Sequence, residues 1–161
     1  MEAVGKRGLV QPLRDYVASG RPFLGVCLGL QLLMETTEEG DASCLGIVPG
    51  VVQRLPAGMK VPHMGWNNVR FEKSHPVFEG IPQDSYFYFV HTYYPVPYNP
   101  AGQTGTTEYG VSFCSVYTHR NLIATQFHPE KSGETGLHIY KNFCALAAEQ
   151  KAGSYQPSVN S

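Results

Sequence analysis

Along residues 10–19, "VQPLRDYVAS", apolar positions recur at helical spacing, with Leu13, Tyr16 and Val17 on one face. Pro12 is tolerated only in the first turn of such a helix, and Gly20 followed by Pro22 ends it. "PFLGV" then runs apolar without alternation, the pattern of a short strand buried on both faces. Helical spacing resumes from Leu28 to about Glu35, so the local prediction is strand, turn at Cys27, helix. From Leu45 to Thr118 the texture becomes β-rich. "GIVPGVVQRL", "VRFE", "YFYFVHTYYPV" and "GVSFCSVYT" are strand-forming runs cut by Gly and Pro, predicting an antiparallel or mixed sheet. "NLIATQFHPE" predicts a further apolar strand ending in polar residues. "GLHIYKNFCALAAEQ" predicts a last helix with Leu137, Tyr140, Phe143, Cys144 and Ala147 on one face. Residues 151–161 are polar and predicted to form a loose tail after a single domain over residues 1–150.

Bulk properties narrow the class. A chain of 161 residues is long enough for one domain with a real core. A net charge of -1 gives no reason to expect nucleic acid or an anionic membrane surface as partner. No apolar run is long enough to span a bilayer, and "MEAVGKRGLV" lacks the apolar block of a signal peptide. Cys27, Cys44, Cys114 and Cys144 are scattered, with no C-x-x-C, which argues against a disulfide framework or structural zinc. A reducing cytoplasm is the expected home.

Candidate chemistry begins at "GVCLG", which fits G-x-nucleophile-x-G. In such an elbow the nucleophile occupies a sharp strand-to-helix turn, and the flanking glycines remove side chains that would collide there. The Cys27 sulfur would project from a strand end at a helix N-terminus, where the thiolate is favoured. The Leu28 N–H would face a developing oxyanion. Taken alone, the same residues also fit a small apolar Cys in a Gly-rich core. "QFHPEKS" supplies the second piece: His128 and Glu130, two apart at a strand end, share a face, so the carboxylate can orient the imidazole that serves Cys27. An H-x-E alone also fits a surface turn. The conjunction favours catalysis: an elbow Cys early, a strand-end H-P-E late, and a helix after each.

"PFLGVCLGLQLL" together with "QFHPEKS" resembles the class I glutamine amidotransferases, the Cys-His-Glu glutaminases. "VPHMGWN", "YFYFVHTYY" and the "HPEKS" ending resemble, within that class, the glutaminase subunits of imidazole glycerol phosphate synthase. The resemblance runs from about residue 8 to residue 147. It implies an α/β three-layer fold with a mixed sheet, and glutamine hydrolysis that supplies ammonia for imidazole glycerol phosphate and AICAR in histidine biosynthesis. It implies no metal or organic cofactor. Cys27 would attack the glutamine amide carbon, His128 would shuttle the proton, and Glu130 would hold His128. Gln31 matches a glutamine-contacting residue, and its i+4 position puts it on the Cys27 side of the helix. Thr92 and Tyr93 match the segment lining the substrate's amino-acid end. Met64, Trp66, Asn67, Tyr88 and Lys131 would face a (βα)₈-barrel cyclase subunit in a heterodimer. Trp66 also fits a core position. His63 is expected to be structural or interfacial, and His75, His119 and His138 carry no assignment.

The departure from the family lies at the front. In the family a strand-helix-strand region, with a Pro-Gly-rich loop donating a second oxyanion N–H, precedes the helix leading to "PFLGVC". Here "MEAVGKRGLV" resembles the helix after that loop, so the expectation is a fold with N-terminal strands missing. An exposed edge on the elbow strand would follow. Loss of one oxyanion donor typically costs about a hundredfold to a thousandfold in turnover. The open alternatives are a glutaminase serving another synthase and a catalytically silent binding subunit.

Overall fold

The computed structural model describes residues 1–153. The helices are α1 (Glu2–Lys6), α2 (Val10–Ala18), α3 (Leu28–Gln31) and α4 (Gly133–Gly153). The strands are β1 (Phe23–Val26), β2 (Thr36–Thr37), β3 (Ala42–Ser43), β4 (Gly50–Arg54), β5 (His63–Asn68), β6 (Arg70–Phe71), β7 (Tyr86–His91), β8 (Tyr93–Pro97), β9 (Gln103–Glu108), β10 (Ser112–His119) and β11 (Leu122–Thr125).

Every residue of β11 is buried, which is why its sequence is apolar without alternation. It lies between β1, to which it is parallel, and β10, to which it is antiparallel, in a mixed sheet of order β1-β11-β10-β9-β6. The two faces of this sheet anchor two cores. Ile123 and Phe113 join Phe87, Phe89, Phe127 and Ile139 on one side, with Phe143 and Leu146 of α4 packed against them. Leu122, Ala124 and Cys114 join Leu30, Leu33 and Met34 on the other, with Val17 of α2 alongside. Helices thus cover both faces of a mixed sheet, the α/β architecture expected from the sequence. A second sheet has order β3-β2-β4-β8, and β5 pairs with β7 as an antiparallel ribbon.

Several local expectations need correction. The elbow helix is short: α3 ends at Gln31, because Glu35 N–H donates to the Gly50 carbonyl and the chain turns into β2. "YFYFVHTYYPV" is not one strand. It breaks at Thr92, and its halves β7 and β8 belong to different sheets. In β1 only Gly25 is fully buried, since among the described residues the strand pairs with β11 alone. On α4, Leu137 and Cys144 are exposed, and the core face is carried by Gly136, Ile139, Phe143 and Leu146. The last helix also continues through Gly153, into the stretch expected as tail; the rest of that stretch lies outside the described residues.

Candidate active site

The parallel register of β1 and β11 places Val26 opposite Thr125, so both chains leave the sheet on the same side. Cys27 follows one strand and His128 the other, at the carboxyl ends where α/β sheets place their sites. Cys27 adopts φ 49° and ψ -103°, a conformation that L-residues with a Cβ rarely take. Its N–H donates to the Thr125 carbonyl at 2.7 Å, while its carbonyl receives the Leu30 N–H at 3.0 Å and starts α3. The sharp turn brings the chain back over β1. A Cβ on Gly25 would lie 3.1 Å from the backbone of Gly29, whereas one on Gly29 would meet nothing within 4 Å. Only the first glycine of the elbow is therefore demanded by close approach.

The Cys27 thiol reaches the Val90 carbonyl at 3.8 Å. Burial pushes its pKa up, against the opposing pull of the Leu28 N–H and the Gln126 amide. The resting sulfur is thus held as a thiol. His128 donates from Nδ1 to Glu130 Oε1 at 2.7 Å, which fixes the tautomer. Its Nε2 is left with a free lone pair, buried and without a hydrogen-bond partner among the described residues. His128 and Cys27 are not hydrogen-bonded to each other. Burial, the largest single influence, raises the Glu130 pKa, but the hydrogen bonds from His128, its own backbone N–H and Tyr140, with the charge of the imidazole, together outweigh it, and the net displacement is downward.

The H-P-E turn is held from two sides. Ser132 Oγ donates to the His128 carbonyl at 2.6 Å and receives the Tyr88 N–H at 3.0 Å. The His128 N–H in turn donates to the Tyr88 carbonyl at 2.9 Å. Tyr140 of α4 donates its hydroxyl to Glu130 Oε2 at 3.3 Å. Beside the sulfur lies a cavity of about 320 Å³, lined by Cys27, Gln31, Glu39, Val90, Thr92 and Tyr93 among others. Gln31, Thr92 and Tyr93 were anticipated there. Glu39 in the lining was not, nor were Ser132 and Tyr140, which brace the H-P-E turn; of these three only Ser132 had a local signal, its place in "HPEKS".

The residues expected at a partner surface divide. Pleating puts Met64 and Trp66 on the outer face of the β5–β7 ribbon, 61% and 57% exposed. Tyr88 lies directly across from Trp66, and Lys131 stands over the Tyr88 ring. Trp66 is therefore a surface residue, not a core one. Asn67 falls on the opposite pleat and turns inward, donating to the Glu108 carbonyl at 3.0 Å and lying 3.3 Å from His63 Nε2. His63 is buried and structural, stacked on Phe89 and Tyr109. Among the described residues no group of three His, Cys, Asp or Glu side chains could hold a metal ion, and no helix is long and apolar enough to cross a membrane.

The elbow at Cys27 and the His128–Glu130 pair follow adjacent parallel strands, the arrangement on which the resemblance to the class I glutamine amidotransferases rests. The model of that family, "Glutamine amidotransferase class-I", matches residues 3–147, and the chain belongs to it. The similarity is closer still to one member type. The imidazole glycerol phosphate synthase subunit HisH of Dehalococcoides mccartyi is 49% identical over 152 residues, covering 94% of this chain and 74% of that protein. The HisH subunit of Moorella thermoacetica is 52% identical over 147 residues, covering 91% and 70%. At this identity and coverage the chain is a member of the HisH family. Solved structures share the fold at lower identity. A putative GMP synthase protein from Thermoplasma acidophilum aligns with TM-score 0.67 at 21% identity, over 92% of this chain and 69% of that one. The glutaminase domain of Trypanosoma brucei CTPS aligns with TM-score 0.61 at 18% identity, over 90% and 66%.

Proposed function

We propose that this chain hydrolyses glutamine through a Cys27 thioester and passes the ammonia to a cyclase subunit that makes imidazole glycerol phosphate and AICAR, in histidine biosynthesis. The observation that carries this reading is the buried Nε2 of His128, unpaired among the described residues, with Nδ1 committed to Glu130, just past the end of the strand that pairs with the elbow strand. Nε2 takes the thiol proton as Sγ bonds to the amide carbon, and returns it to the nitrogen as the C–N bond breaks. Ammonia leaves and a thioester remains. Water then gives a proton to Nε2 and its oxygen to the acyl carbon, releasing glutamate and restoring the thiol. The Leu28 N–H offers a donor to each oxyanion. Gln31, Thr92, Tyr93 and Glu39 suit the amino-acid end of the substrate, with the Glu39 carboxylate available to the α-ammonium.

Free ammonia in water at neutral pH is protonated and no longer nucleophilic, so a direct hand-over to a partner is required. The face formed by the exposed Met64 and Trp66 and the half-buried Tyr88, with Lys131 at its edge, is suited to that partner. It adjoins the site through β7, whose Val90 carbonyl meets the Cys27 thiol. Two measurements test the proposal. A glutamine-mimicking electrophile is expected to label Cys27 rapidly and specifically; no labelling would favour a silent binding subunit. Adding a HisH-type cyclase partner and its ribonucleotide substrate is expected to raise glutamate release. No rise would remove this function from the chain, and a rise only with a different synthase would reassign it.

A further inference from the structure

A continuous set of hydrogen bonds runs beneath the cavity. Asn67 Nδ2 lies 3.3 Å from His63 Nε2, His63 Nδ1 lies 2.9 Å from His91 Nε2, and His91 Nδ1 lies 2.9 Å from the Tyr93 carbonyl. That carbonyl also receives Gln31 Nε2 at 2.7 Å, and the same Nε2 donates to Gln126 Oε1 at 3.1 Å. Gln126 Nε2 ends the series at Cys27 Sγ, 3.5 Å away. Gln31, His63, His91 and Gln126 are all buried.

The direction of each bond is determined. A carbonyl only accepts, so His91 carries its proton on Nδ1. Burial holds both imidazoles neutral, with pKa values lowered to about 4. His91 Nε2 is then an acceptor, so His63 donates from Nδ1 and accepts at Nε2 from Asn67. The Tyr93 carbonyl spends both lone pairs, on His91 and Gln31. Gln31 spends its amide protons on Tyr93 and Gln126. Gln126 must accept at Oε1 and can present only N–H to the sulfur. Turning its amide round would set N–H₂ against N–H₂ and a carbonyl against Cys27, leaving buried polar groups unpaired. A neutral thiol is a weak acceptor, so a donor fixed this way gains most when the sulfur is ionised.

We infer that Gln126 is a further catalytic residue, an amide donor held on the Cys27 sulfur to stabilise the thiolate, and that Gln31, His91 and His63 are positioning residues that fix its direction. The catalytic use rests on Cys27 being the nucleophile of the proposed reaction. In the series Asn67 to Cys27, the amide that touches the reacting atom is the last link, and each earlier link removes one rotational alternative.

The test is iodoacetamide alkylation of Cys27 as a function of pH, in the full chain without glutamine or partner, read by peptide mass spectrometry. A Cys27→Ser chain supplies the background from Cys44, Cys114 and Cys144. Gln126→Met keeps the side-chain length and removes the donor. The alkylation midpoint is expected to rise by about one pH unit, so that alkylation at pH 8 falls about tenfold. Gln31→Leu keeps Gln126 but frees its amide to rotate, and a smaller shift in the same direction is expected. An unchanged midpoint in a folded Gln126→Met chain overturns the assignment, and an unchanged midpoint in Gln31→Leu overturns the positioning role. Should Gln126→Met fail to fold by circular dichroism, Gln31→Leu and His91→Phe decide, and no shift in either rejects the inference. Thiol acidity is read without substrate, so this result is separate from any failure of glutamate release, which would count against the glutaminase reading instead.

Discussion

At the residue scale, the two glycines around Cys27 look equivalent in sequence and are not equivalent in space. A Cβ on Gly25 would lie 3.1 Å from the backbone of Gly29 and would also crowd Ala124 at 3.3 Å. Gly29 lies in α3 with open space where its side chain would be. Gly25→Ala is therefore expected to lose about 1–3 kcal/mol of stability, through overpacking at the elbow. Gly29→Ala is expected to hold or gain up to about 1 kcal/mol, since Ala favours helix over Gly. Urea unfolding of the two variants checks this; equal losses would show that both glycines answer to the same constraint. The strained φ of Cys27 belongs to the same turn. Bonds from its N–H to Thr125 and from Leu30 to its carbonyl offset the strain locally, so the sulfur is aimed by backbone rather than by rotamer choice.

At the element scale, the second half of the site depends on how closely α4 approaches the H-P-E turn. A side chain on Gly136 would collide with the Pro129 carbonyl and with Ser132. The contact is backbone on backbone, so it has little room to yield. Gly136→Ala should push α4 off the turn and separate Tyr140 from Glu130, whose hydroxyl–carboxylate bond spans 3.3 Å. The expected outcome is a loss of turnover of about tenfold or more, with glutamine KM changed far less, because Gln31, Thr92 and Tyr93 lie on other elements. Steady-state kinetics with the partner present would separate the two. A variant with raised KM and normal kcat would mean that α4 does not support His128. Tyr140→Phe isolates the hydrogen bond from the packing and should show a smaller version of the same effect.

At the scale of the whole molecule, what could be read from sequence is what lies contiguous along the chain. "GVCLG" and "HPEKS" carry their chemistry within five residues each, and the apolar β11 identifies itself by lacking alternation. Glu39 and Tyr140 reach the site from segments that no local pattern marks as chemical, whereas Gln126 opens "QFHPEKS" and His91 lies within "YFYFVHTYY", and only their contacts in space give these two a role. The break at Thr92 was hidden because β7 and β8 are both strand-forming; what separates them is pairing with β5 in one case and β4 in the other. The imidazole pair created by β5–β7 pairing, with His63 opposite His91, has a consequence for stability. An exposed imidazole ionises near 6.5, while these two in the fold do so only near 4, chiefly because burial disfavours the charge. Between those values the unfolded chain binds more protons than the folded one, so acidification favours unfolding. Stability from this source is complete above pH 6.5 and declines as pH falls toward 4, by on the order of 3 kcal/mol for each imidazole. Glu130, held below its ordinary value of 4.5, adds a loss in the same direction but only at lower pH. Urea midpoints measured from pH 7 to pH 4 should therefore fall steeply in the unaltered chain. They should fall less in a His63→Phe/His91→Phe chain, whose rings keep the packing against Phe89 and Phe113. An equal fall in both chains would place the acid sensitivity elsewhere.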